Sequence, residues 1–146
     1  MRTKSGIAFL LCLLPALSFG QVFGLFKKNQ LTDGHKHGRW VSYYGSDSTT
    51  VYSKGRYKHG EERGKWRYFY EDGTRAKKEI YRRNQIKTTN YHPNGKVRSS
   101  GQARLEDNPQ AVEYFYFGDW KFYTPSGHLH KIVRYERGVE IGEQVF

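Results

Sequence analysis

Two pairs of histidines stand two residues apart in this chain, His35 with His37 and His128 with His130. On a β-strand such residues project to one face, the geometry from which two imidazoles could share a metal ion. A metal site needs three or four ligands, and no carboxylate or further histidine is spaced to complete either pair. His35 and His37 also stand where the first repeat begins, in a glycine-rich stretch read as a loop. No metal is expected, and the four imidazoles read as exposed polar groups. Adjacent acids raise general acid–base chemistry: Glu71 with Asp72, and Glu61 with Glu62 beside Arg63. An acid and a base must be opposed across a cleft, yet the first pair falls in a turn and the second in a connection. The chain carries no serine nucleophile elbow, phosphate-cradling P-loop, H-E-x-x-H helix or G-x-G-x-x-G turn. We expect no catalytic residue, no cofactor and no enzymatic activity.

Lysine and arginine are interleaved with aromatic rings, as in Arg56-Tyr57-Lys58. That mixture suits nucleic acid, since rings stack on bases while cations track phosphates. The start of the chain argues for other anions. Arg2 and Lys4 lead an apolar run from Ile7 to Leu17, and Ser18-Phe19-Gly20 offers small residues for cleavage, so Met1 to Gly20 reads as a secretory signal. The run is too short to span a bilayer. Cys12 lies inside it without the small preceding residue that lipid attachment needs, so soluble export is expected, to the periplasm or beyond. The exported chain would then hold no cysteine, which excludes a disulfide scaffold, thiol catalysis and cysteine-ligated zinc. Without Arg2 and Lys4 the 25 basic residues become 23, against 14 acids, a formal charge of +9. Such a charge speaks to solubility and anionic partners, not to fold. The expected partner is another protein or an anionic envelope polymer. The charge also permits peripheral contact with lipid headgroups. Nucleic acid and integral membrane insertion are not expected.

The elements that must position these residues follow from composition and spacing. Of 146 residues, 16% are aromatic and 16 are glycine, while only 36% are hydrophobic. Apolar mass therefore comes from rings, which favours strands and turns over helices. Gly38-Arg39-Trp40, Gly64-Lys65-Trp66 and Gly118-Asp119-Trp120 repeat one pattern, each followed three places on by a ring, Tyr43, Phe69 or Tyr123. Gly73 and Gly127 follow the second and third copies at one offset. A further unit lacks tryptophan but keeps Tyr91 and Gly95. Internal repetition of this kind marks a part built several times, not a reaction centre.

Turn chemistry supports that reading. Glu71-Asp72-Gly73, Pro93-Asn94-Gly95 and Pro125-Ser126-Gly127 suit a type I turn with a following bulge, the glycine taking the left-handed place. Each second arm ends at another turn: Tyr57-Lys58-His59-Gly60, Tyr81-Arg82-Arg83-Asn84 and Tyr135-Glu136-Arg137-Gly138. Asn84, standing where the others have glycine, is expected to adopt positive φ as they do. Trp66, Tyr68 and Tyr70 fall on one face of the sheet and Arg67 and Phe69 on the other, so both faces carry rings. Trp40, Trp66 and Trp120 read as repeat-core residues, because they recur with the turn and with no polar group.

These residues resemble the MORN-type repeats, in the bacterial variant with glycine, any residue, tryptophan, then an aromatic and a glycine turn. The likeness runs from about Asp33 to Gly142. It implies an all-β fold, an elongated antiparallel meander of repeated hairpins in a single sheet, occupying 33–146 after a 1–20 signal and a 21–32 segment that is a strand or a tether. It also implies a binding role. Many bacterial relatives are labelled antitoxin components, which would make a dedicated toxin the partner. The chain departs from the pattern at Gln102 to Phe117, where a longer spacer reads as a protruding loop before a strand, Val112 to Phe117, or as a wider hairpin.

Overall fold

The computed structural model describes residues 27–46 and 49–146. The expected signal, 1–20, and the first part of the 21–32 segment lie outside the described residues. Among the described residues ten strands follow one another: β1 Gln30–Thr32, β2 His35–Tyr43, β3 Val51–Lys58, β4 Glu61–Phe69, β5 Arg75–Arg82, β6 Gln85–Tyr91, β7 Val97–Asp107, β8 Val112–Tyr123, β9 Leu129–Glu136 and β10 Val139–Val145. Each pairs antiparallel with the next, giving one sheet in the order β1 to β10. This is the all-β meander of consecutive hairpins implied by the repeat.

Two kinds of turn alternate. At one end, Gly73 N donates to Tyr70 O (2.9 Å), Gly95 N to His92 O (2.9 Å) and Gly127 N to Thr124 O (2.8 Å). The strand register slips just before each, at Tyr68/Phe69, Asn90/Tyr91 and Phe122/Tyr123. Gly73 has φ of 82°, which a side chain adopts only under strain, and nothing lies within 4 Å of where its Cβ would be. Gly73→Val should therefore cost backbone strain alone, about 1–2 kcal/mol. An unchanged thermal midpoint would remove the turn assignment. At the other end, two-residue turns carry positive φ at both central places, as in His59–Gly60 (52° and 84°) and Arg137–Gly138 (45° and 81°), the form whose twist matches paired strands. The β5–β6 turn departs from expectation. Arg83 takes the left-handed conformation at 55°, and Asn84 is not among the positive-φ residues, so the asparagine does not copy the glycine.

The 102–117 spacer is a wider hairpin and not a protruding loop. β7 and β8 are the longest strands, at 11 and 12 residues, and Asn108 closes their tip by accepting from Gln110 N (3.0 Å) and Ala111 N (2.9 Å). The expected strand at Val112 runs on without a break through Trp120 to Tyr123. Part of 21–32 is also strand, since β1 pairs with β2 from Gln30 to Thr32.

Neighbouring units are tied by a contact that spacing alone did not suggest. The residue after each repeat aromatic reaches the carbonyl of the next unit's aromatic. Tyr44 donates to Phe69 O (2.7 Å), Tyr70 donates to Tyr91 O (2.9 Å), and His92 Nε2 bonds Tyr123 O (2.9 Å). Each unit thereby fixes the next, as a single sheet of hairpins requires.

Candidate functional site

Alternation along the strands, read with the pairing, gives the sheet two unlike faces. One carries Trp40, Trp66, Trp120 and the buried Ile86, Ala103 and Val133. Rings run along it: Trp40 meets Tyr57 edge-on at 5.6 Å, Tyr57 meets Trp66 at 5.0 Å, and Trp66 stacks on Tyr68 at 6.3 Å. A second group joins Tyr116 to Trp120 at 4.0 Å and to Tyr135 at 5.6 Å.

Trp66 and Trp120 are buried for a reason outside the G-x-W pattern. Each lies over a glycine of the preceding strand, Gly55 on β3 or Gly101 on β7, where an added Cβ would fall inside the indole. Each indole N–H donates to the carbonyl after that glycine, Trp66 to Arg56 O (3.2 Å) and Trp120 to Gln102 O (2.9 Å). At both places three residues oppose one. Gly64-Lys65-Trp66 faces Gly55, and Gly118-Asp119-Trp120 faces Gly101. Gly64, at φ 66°, makes that bulge; Gly118 (66°) and Gly38 (72°) have the same conformation. Gly55 and Gly101 were not singled out from sequence, since they stand at different distances before the tryptophans that cover them.

Trp40 corrects the expectation that all three indoles are core. It is only half-buried. Among the described residues no strand bearing a glycine precedes it; instead Asn29 uses its amide on both Val41 O and Val41 N (2.8 and 2.7 Å), and Lys36 Nζ sits 5.1 Å from the indole. The repeat without tryptophan is changed at both members of the pair. Thr88 stands in the tryptophan's place and Glu79, opposite it, in the glycine's. Glu79 is 2% exposed and bonds Lys77 Nζ (2.9 Å) and the Tyr81 hydroxyl (3.1 Å).

The two histidine pairs are placed differently. His35 and His37 are the first residues of β2 and not a loop, and His37 meets His59 edge-on at 5.7 Å. His128 lies before β9, in the turn, with Nδ1 3.1 Å from Ser126 Oγ. Among the described residues no group of three or more His, Cys, Asp or Glu is placed to hold a metal. The acids are also engaged locally. Asp72 accepts from Thr74 N and Oγ1 (2.8 and 2.6 Å), which holds its carboxyl below the usual range. Glu62 accepts from Tyr57 (2.8 Å), and Glu61 pairs with Arg63.

The other repeat residues lie at strand ends. Tyr43, at the end of β2, has Lys28 Nζ 5.5 Å from its ring centre. Phe69 lies under Lys54 at 4.9 Å and Tyr91 under Arg75 at 5.4 Å. Charged heads over rings keep apolar surface covered while staying wet.

The second face is cationic over β2 to β5. Arg39, Arg56 and Arg63 stand directly opposite one another on three strands, and so do Lys54, Arg67 and Lys78. Arg39, Lys54, Arg56, Arg63, Lys65 and Arg67 line a depression of about 360 Å³ that has no acid in its wall. Only Arg63 of these six forms an ion pair among the described residues. Further along, β7 and β8 carry acids that are already engaged: Asp119 with Arg134, and Glu106 and Glu113 with Arg137.

A family model described as a MORN repeat variant matches residues 62–83 and 118–137, the two hairpins built from β4–β5 and β8–β9. No curated protein and no solved structure matches the chain. Together with the glycine-tryptophan bulges and the one sheet of consecutive hairpins, the two family matches show that the chain carries MORN-type repeats at those two hairpins.

Proposed function

We propose that this protein is a non-enzymatic, exported binding module whose cationic sheet face holds an anionic polymer of the cell envelope. MORN repeats are commonly protein- or lipid-binding modules and are not known as enzymes. The observation that carries the reading is the opposition of Arg39, Arg56 and Arg63, and of Lys54, Arg67 and Lys78, across adjacent strands. Like charges directly opposite each other destabilise a sheet. The repeat does not require them, because the equivalent places of the second bulge hold Ser100, Gln102 and Phe117. A polyanion laid across β2 to β5 would relieve that repulsion. Export rests on the leader-like 1–20 segment, and the ring-rich opposite face is the surface left for a protein contact.

Binding of the chain to soluble anionic polymers, followed by fluorescence anisotropy, tests the reading. Affinity should fall steeply between about 50 and 300 mM salt as the exposed charges are screened, and Arg67→Glu with Lys78→Glu should weaken it at least about tenfold. Absence of polymer binding at the lower salt would overturn the proposal. So would capture by anionic vesicles alone, which would make the partner a lipid surface.

A further inference from the structure

We propose that the depression between Gly55 and Gly64 is a subsite for a multiply charged phosphate group, of the kind a soluble polyphosphate chain presents. This rests on the reading of the cationic face and names the chemistry of its densest point. The side-chain direction of Gly55 points to the aromatic face, into Trp66, and the bulge has glycine at 64, where nothing lies within 4 Å of a would-be Cβ, so both residues offer only backbone to the depression. The cationic face therefore has a bare backbone floor, and six cations form its rim. At about 360 Å³ it lies at the small end of ligand sites.

The second bulge has the same backbone and shows what the first lacks. At the place of Lys65 it has Asp119, which accepts two hydrogen bonds from Arg134, Nε at 2.7 Å and a terminal nitrogen at 3.1 Å. At the place of Arg63 it has Phe117, under the guanidinium of Arg104 at 4.3 Å. There the chain supplies its own anion and its own filling. At the first bulge Arg39, Lys54, Arg56, Lys65 and Arg67 have no acid partner among the described residues, which leaves their charge open to an anion from outside. A carboxylate brings one negative charge, a phosphate ester up to about two. Arginine forks grip phosphate oxygens in pairs, and Arg39 and Arg56, opposed on adjacent strands, offer two forks to one group, beside Arg63, whose guanidinium is already held by Glu61.

The test uses the full chain with inorganic pyrophosphate and tripolyphosphate as probes, by titration calorimetry and ³¹P NMR. One saturable site is expected. Lys54→Ser with Arg56→Gln installs the residues that the second bulge has at those places, so the sheet should tolerate them, and affinity should fall at least about tenfold. Lys87→Ser, elsewhere on the same face, should change it no more than about twofold. Lys65→Asp places the chain's own carboxylate at the site; it should weaken probe binding by a similar factor while the thermal midpoint holds or rises. Non-saturating binding, or equal losses in the Lys54/Arg56 and Lys87 variants, would overturn the subsite. If long anionic polymers still bind while pyrophosphate does not saturate, the subsite falls and the broader reading stands. If neither binds, both fall.

Discussion

Gly101→Val should lower the stability of this protein by about 3–5 kcal/mol, as much as truncating a core tryptophan. The new side chain would occupy the volume of the Trp120 indole. Trp120 is 1% exposed, so its ring would have to leave the sheet surface, losing its burial and the hydrogen bond to Gln102 O. A domain of this size holds on the order of 5–15 kcal/mol in all, so a large unfolded fraction is expected at 37 °C. A cycle of Gly101→Ala, Trp120→Ala and the double variant separates this cause from any general intolerance of β7. With the indole gone, the alanine at 101 meets no obstacle, and the double variant should cost little more than Trp120→Ala alone. Denaturant unfolding of the four proteins measures it. Additive losses would show that the glycine serves something other than the ring. Gly55 and Trp66 should behave alike, since they have the same contact and the same N–H to carbonyl bond.

The second large effect is alkaline. Tyr68 and Tyr81 have phenol pKa values pushed well above the ordinary 10.0, first by burial and then by the Glu79 carboxylate. Tyr57 is raised by burial and by its bond to Glu62, and Tyr114 is pushed up to about 12, chiefly by burial. The folded state therefore keeps protons that the unfolded chain releases near pH 10. Their stabilisation is fully present below pH 10 and is lost as pH rises through the folded values. Each group contributes at most about 1.4 kcal/mol per pH unit in that window. Tyr114 is 46% exposed and the other three are half-buried, so solvent discounts the sum. A loss on the order of 1–2 kcal/mol per pH unit above pH 10 is expected. Denaturant midpoints at about pH 8, 10 and 11, with tyrosinate absorbance followed in parallel, should show ionisation and unfolding together. Tyr68→Phe should make the decline shallower. Tyrosinate appearing as in the free amino acid, on a sheet that stays folded, would contradict the burial assigned to these hydroxyls.

The hairpins were readable because their causes lie within a few neighbouring residues. Asp72-Gly73, Asn94-Gly95 and Ser126-Gly127 each make a turn by local backbone geometry, and the ring spacing after each G-x-W places the strands between. Asn84 shows the limit of that reasoning, since tolerance of positive φ does not compel it, and Arg83 takes the left-handed place. The 102–117 spacer was ambiguous for a related reason: Asn108 closes a hairpin tip only if β7 and β8 stay paired along their length.

The candidate site was barely legible. Basic residues were visible as a count, and their interleaving with rings as a texture, but Lys54, Arg67 and Lys78 come from three strands and become neighbours only through the register. That register is shifted by the bulges at Gly64 and Gly118, and no single strand specifies the shift. Gly55 and Gly101 were passed over for the same reason, as the ring that requires each belongs to the next strand. By itself the sequence determined that the chain folds back on itself in repeated hairpins, since turn preference and side-chain alternation act between adjacent residues. Only the tertiary structure decided which tryptophan is covered, which glycine it covers and which cations face each other without an acid, because those depend on how distant segments are aligned.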